Sequence, residues 1–113
     1  MREFLGVLFE RAQCLTNEYA VEEARRNLAA KFPESLKSLE ALRGKCEIIT
    51  QLTIVLEVQL PLKDVPILGG AVAGQATHLL TGDERDFGRF WGKTIQNVKI
   101  LSPRMLAEEM RLT

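Results

Sequence analysis

Short β-prone segments alternate with stretches of helical period along this chain, and that alternation leaves few folds open. Phe4, Leu5, Leu8, Phe9 and Ala12 recur on one face of a helix over residues 2–13. Cys14, Leu15 and Thr16 then read as a brief buried strand. Asn17 offers its side chain as N-cap to a second helix with the stripe Val21, Ala24 and Leu28. Glu18, Glu22 and Glu23 lie toward the positive end of that helix. Pro33 stops it, because proline has no N–H to donate and its ring clashes with the preceding turn. A third helix over 34–43 repeats Leu36, Leu39 and Leu42 and closes at Gly44.

The second half keeps the rhythm. Ile48, Ile49, Thr50, Thr53, Ile54, Val55 and Val58 are β-branched and predict at least one strand, nearest 47–50. Residues 54–60 are compatible with either a strand or an extended loop. After a connector at 61–64, a helix over 65–73 buries Ile67, Leu68, Ala71 and Val72 and ends at Gly74. Residues 77–81 predict a short buried strand that leaves through a Gly82-Asp83 turn into a polar helix over 84–90. Another strand follows at 98–101, and Ser102 caps a last helix with Pro103 at its first position. Helices interleaved with short apolar strands predict a single α/β domain over 1–113 with a short, mainly parallel sheet.

Composition narrows the partners. Lys plus Arg equals Asp plus Glu at 15 each, so there is no basic or acidic tail and any partner must be read by a local patch. Aromatic residues are only 6%, too few for a surface that stacks many bases. No run approaches the roughly 18 apolar residues that span a bilayer, and the start Met1-Arg2-Glu3-Phe4 carries no signal core. A cytoplasmic protein without a membrane partner is expected. Cys14 and Cys46 form no CxxC or Cys/His grouping, so reduced thiols are expected rather than structural zinc.

In parallel sheets, ligands gather beyond the carboxyl ends of the strands, which draws attention to Asp83. A carboxylate on that turn suits a divalent cation, and it equally suits the N-cap of the helix that follows. Asp64, ahead of Val65-Pro66, reads as a second N-cap. Glu22 and Glu23 fit a solvated helix face. Arg85 and Arg89, four residues apart, face either solvent or an RNA backbone, for which Arg is a bidentate donor. His78 reads as a structural residue in a buried strand and Trp91 as a partly buried anchor. Gly88 to Thr94 mimics a phosphate-binding loop, yet three residues separate its glycines where four are needed.

The order of these residues carries more than each does alone. Lys63-Asp64-Val65-Pro66-Ile67-Leu68, then Ala76-Thr77-His78-Leu79-Leu80-Thr81-Gly82-Asp83, then Phe87-Gly88, Gly92-Lys93-Thr94 and Ile100-Leu101-Ser102-Pro103 resembles the C-terminal half of PIN-domain ribonucleases. Upstream, the segment from Glu18 to Leu28 is similar to the family's acidic helix. The resemblance implies a three-layer α/β/α sandwich that cleaves RNA with Mg²⁺ or Mn²⁺. It also implies the setting of many members, a toxin paired with an antitoxin protein. It places the metal ligands and catalytic acids at Glu23, Asp64 and Asp83, with Asp86 as a supporting ligand. The family opens with a hydrophobic central strand ending in an aspartate, whereas this sequence starts in the helix that follows. The expectation is therefore a PIN-like fold lacking its first, central strand and one metal ligand, unless the true start lies upstream of Met1. Such a chain would expose strand edges that pair with another chain or with residues 54–60, and would be either a weak nuclease prone to form homo-oligomers or a non-catalytic remnant that binds protein or RNA.

Overall fold

The computed structural model describes residues 2–51 and 54–111. Helix α1 (Arg2–Arg11) leads into strand β1 (Leu15–Thr16) and helix α2 (Glu18–Lys31). A 3-10 turn at Pro33–Ser35 precedes α3 (Leu36–Arg43) and strand β2 (Glu47–Ile48). Helix α4 (Val65–Ala73) leads to β3 (His78–Leu80), and α5 (Glu84–Phe87) runs into a second 3-10 turn at Gly88–Phe90. The chain closes with β4 (Thr94–Ile95), β5 (Val98–Leu101) and α6 (Pro103–Glu109). This is a mixed α/β fold with six α-helices among the described residues, as the alternation predicts. No helix among these residues is long and apolar enough to cross a membrane.

The strands form two separate sheets. β1 pairs with β2 in parallel, Leu15 opposite Glu47. β3 pairs with β5 in parallel, and β4 pairs with β5 antiparallel, giving the order β3-β5-β4. Helix α4 packs on both β1 and β3 and so bridges the two sheets. Its sequence explains the role: Leu68 is fully buried, Gly69, Gly70 and Ala71 are buried, and no residue of α4 is charged. The core gathers Leu68, Phe87, Phe90 and Ile100, with Ile67, Val72, Leu79, Trp91 and Ile95 packed around it.

Local capping follows the sequence at Asn17 and Ser102. The Asn17 side chain accepts from the Ala20 N–H at 2.7 Å, and Ser102 accepts from Met105 at 3.1 Å. Each satisfies one free donor of its helix. Pro33 ends α2 as expected. The helix expected over 84–90 changes to 3-10 geometry at Gly88, and the one expected over 2–13 ends at Arg11. The side chains of Phe4 and Leu5 lie outside the described residues, as does Thr53.

Residues 54–60 resolve the choice between strand and extended loop in an unexpected way. Burial alternates residue by residue, with Leu56, Val58 and Leu60 on the core, yet no strand among the described residues pairs with them. Side chains replace the ladder. Gln96 accepts from the Glu57 N–H at 2.8 Å and donates to the Val55 carbonyl at 3.1 Å, while Arg89 donates to the Gln59 carbonyl at 2.5 Å. Gln96 and Asn97 both have positive φ (49° and 70°), forming the two-residue turn between β4 and β5. Such a turn ordinarily favours Asn or Gly at both places. The glutamine holds a strained position because its amide reaches the neighbouring segment.

Candidate metal centre

Asp83 leaves the carboxyl end of β3 on the Thr81-Gly82-Asp83 turn. The Thr81 hydroxyl accepts from the Asp83 N–H at 3.1 Å, and one Asp83 carboxylate oxygen accepts from the Asp86 N–H at 3.1 Å. Asp83 is therefore the N-cap of α5, as one of its two readings had it. The cap uses a single oxygen and leaves the second for another partner. One turn of α5 further on, Asp86 returns to the same side of the chain.

Asp64 enters from the other direction, at the head of α4. It stands at the N-cap position but makes no capping bond through its side chain, so the sequence reading of Asp64 as a cap is corrected. Its backbone is already close to helical (φ −101°, ψ −12°), and the side chain turns to Asp83 and Asp86 instead. Ligand oxygens of Asp64, Asp83 and Asp86 all lie within 4.8 Å of one another. Asp64 is only 3% exposed, and its Oδ2 has no hydrogen-bond donor. A buried oxygen without a donor is costly, and native proteins rarely leave one.

The electrostatics follow from this crowding. Burial pushes the Asp64 carboxyl up from 3.8 to about 6, and the neighbouring Asp86 carboxyl adds to the rise. Asp86 moves the opposite way, held below its usual range by the Asp64 carboxyl and then by Lys63. The Lys63 ammonium lies 3.1 Å from Asp86 Oδ2. Sequence reading missed Lys63 as a member of the site, although its adjacency to Asp64 is a visible signal.

The other expected site residues are placed differently. Glu23 lies half-buried on α2 and stands outside the three-aspartate group. The N-cap of α2, Asn17, is 5% exposed and ties this helix to the head of α4, its amide donating to the Pro66 carbonyl at 3.4 Å. Arg85 is exposed on α5 beside Asp86. Arg89 is not a free phosphate donor: its guanidinium lies 4.5 Å from the centroid of Phe90 and is bonded to Gln59. His78 is exposed, correcting the expectation of a buried residue, and its Nε2 lies 3.3 Å from Glu109. Trp91 is half-buried on the core, as expected of an anchor.

Three carboxylates present only hard oxygen donors, the set that suits Mg²⁺ or Mn²⁺. Octahedral bonds of about 2.1 Å put oxygens on one ion between about 3 and 4.2 Å apart, so the group is within a small side-chain adjustment of that spacing. The unpartnered Asp64 oxygen is compatible with such an ion, since a cation would supply the partner that no donor gives. Comparison of the chain with family models, with curated proteins and with solved structures finds no match.

Proposed function

We propose that the protein is a PIN-like, metal-dependent endoribonuclease in which Asp64, Asp83 and Asp86 hold Mg²⁺ or Mn²⁺. The observation that carries this reading is the buried, donorless Oδ2 of Asp64 beside two further carboxylates. A divalent cation there supplies an activated water and neutralises charge on a phosphodiester. The chain's own residues do the rest. Asp64 fixes one ligand in a buried position, and Asp83 is held by its cap to the Asp86 N–H. Lys63, 3.1 Å from Asp86, offsets the negative charge of the group. Arg85, exposed next to the acids, faces an incoming RNA backbone. Glu23, half-buried on α2, is the further ligand that the family resemblance would add to this set.

On this reading the layers form the α/β/α sandwich of that family, the substrate is RNA, an antitoxin protein is a natural partner, and the setting is the cytoplasm. Thermal melting during Mn²⁺ titration tests it, with cleavage of a single-stranded RNA measured in parallel. The expected result is a metal-dependent rise in Tm and cleavage, both lost in Asp83→Asn, while Glu23→Gln weakens metal binding less. Absence of any Mn²⁺ effect on Tm together with absence of cleavage overturns it.

A second reading, a non-catalytic module that pairs with another chain, is favoured by a separate observation. Lys99 donates to the Thr77 carbonyl and Thr81 donates to the Leu101 carbonyl, both at 3.0 Å. Strand alternation then directs the main-chain groups of His78 and Leu80 away from β5. Likewise Glu47 donates to Cys14 and Ile49 to Thr16, which directs those of Leu15 away from β2. These outer edges of β1 and β3 carry no strand among the described residues, and α4 underlies both. An added strand would find donors and acceptors ready, as exposed edges do in homo-oligomers. Light scattering across a concentration series reads this directly: a constant monomer mass refutes self-pairing.

A further inference from the structure

The two cysteines are far apart in sequence, yet the β1–β2 pairing brings them opposite each other. Leu15 pairs with Glu47, so one step back along both parallel strands sets Cys14 against Cys46. The Glu47 N–H donates to the Cys14 carbonyl at 2.9 Å, so the pairing reaches Cys14 itself. Paired strands lie about 4.8 Å apart. That is inside the Cα window of about 4.4–6.8 Å that a disulfide needs.

The faces agree as well. Gln13 bonds to Glu47 through their side chains, so these two residues share a face. Thr16 and Cys46 line an apolar cavity of about 190 Å³ between α2 and α3, with Val21 and Leu42. Strand alternation puts Cys14 on the face of Thr16, hence on that of Cys46. Both thiols are half-buried and free, and Cys14 Sγ makes a long hydrogen bond, 3.9 Å, to the Ala12 carbonyl. We propose that Cys14 and Cys46 are a redox-modification site that closes to an intramolecular disulfide under peroxide.

The chemistry balances. One thiolate attacks the peroxide O–O bond, giving a sulfenic acid and releasing hydroxide, which takes up a proton as water. The second thiolate displaces the sulfenic oxygen, which leaves as a second water. Two thiols and one H₂O₂ thus give one S–S bond and two waters, with the sulfurs oxidised and the peroxide oxygens reduced. Burial pushes both thiols up, and Cys46 raises Cys14 further. The step is therefore slow at neutral pH and faster in mild alkali. The bond closes a loop containing all of α2 and α3, with Glu23 inside it, so oxidation ties this helical pair to the β1–β2 sheet.

The test uses the full chain, reduced and then exposed to stoichiometric H₂O₂ under native conditions. Expected are a mass loss of about 2 Da, a monomer of faster mobility on a non-reducing gel, and a Cys14–Cys46 cross-linked peptide. Tm should rise by more than about 5 °C and return with dithiothreitol. With glutathione disulfide as oxidant, the effective thiol concentration in the native chain should exceed that in denaturing urea by at least about tenfold. Cys14→Ser and Cys46→Ser should each abolish the mass loss. The inference is overturned if covalent dimers or sulfinic acid form instead, if the cross-linked monomer melts no higher, or if native and unfolded chains close equally well.

Discussion

Asp64→Asn separates the stabilising and the functional roles of one residue. Between about pH 4 and 6 the folded chain holds the Asp64 proton more tightly than the unfolded chain, because its carboxyl is raised from 3.8 to about 6. Native stability on this account falls as pH rises through that window, and the loss is complete above it. At 1.36 kcal/mol per pH unit the rise corresponds to about 3 kcal/mol. Asp86, held low, works in the opposite direction, with stability lost as pH falls through its folded value, so the net effect is smaller than the Asp64 contribution alone. An amide is neutral at every pH and donates to the two neighbouring carboxylates, and no side-chain cap is lost. Urea unfolding in EDTA should therefore show Asp64→Asn to be more stable than the parent near pH 8, by at most about 3 kcal/mol, with the gap closing toward pH 4. The same variant should lose the Mn²⁺-dependent rise in Tm. A variant less stable than the parent near pH 8, or a gap independent of pH, refutes the assignment of Asp64 as a strained, cation-seeking carboxylate.

Three further outcomes probe the surrounding fold. Leu68→Ala removes a fully buried side chain from the helix that bridges both sheets and should cost about 2–5 kcal/mol by urea unfolding. Gly74→Ala puts a methyl 2.5 Å from Ile49 Cδ1, so it should cost about 1 kcal/mol, part of it recovered by adding Ile49→Val. Gln96→Ala removes two bonds to the segment at 55–57, so amide exchange at Glu57 should accelerate well beyond that in β5.

Features decided within three or four residues were legible in the sequence. Asn17, Asp83 and Ser102 each bond to an N–H three residues on, and Pro33 ends a helix by its own ring. What failed depended on distant chain. Asp64 has the sequence context of a cap, but two aspartates about twenty residues later determine its surroundings. His78 sits among apolar neighbours and reads as buried, yet β3 is an edge strand and its alternation turns that side chain outward. Strand β4 was missed because Gln96 is no usual turn residue, and its reason lies some forty positions upstream at Val55 and Glu57. The three aspartates were all nameable in advance, whereas Glu23 was named with them and the fold leaves it apart.

The three fastenings of the extended segment all grip main-chain atoms: the Val55 carbonyl, the Glu57 N–H and the Gln59 carbonyl. Such atoms are supplied by almost any amino acid, proline at 57 excepted, so the attachment is blind to the identity of the residue it holds. The outward side chains at 55, 57 and 59 are thereby released from structural duty, while Leu56, Val58 and Leu60 answer to the core. This strip can change its outer lettering, and whatever that lettering touches, without renegotiating the architecture beneath it.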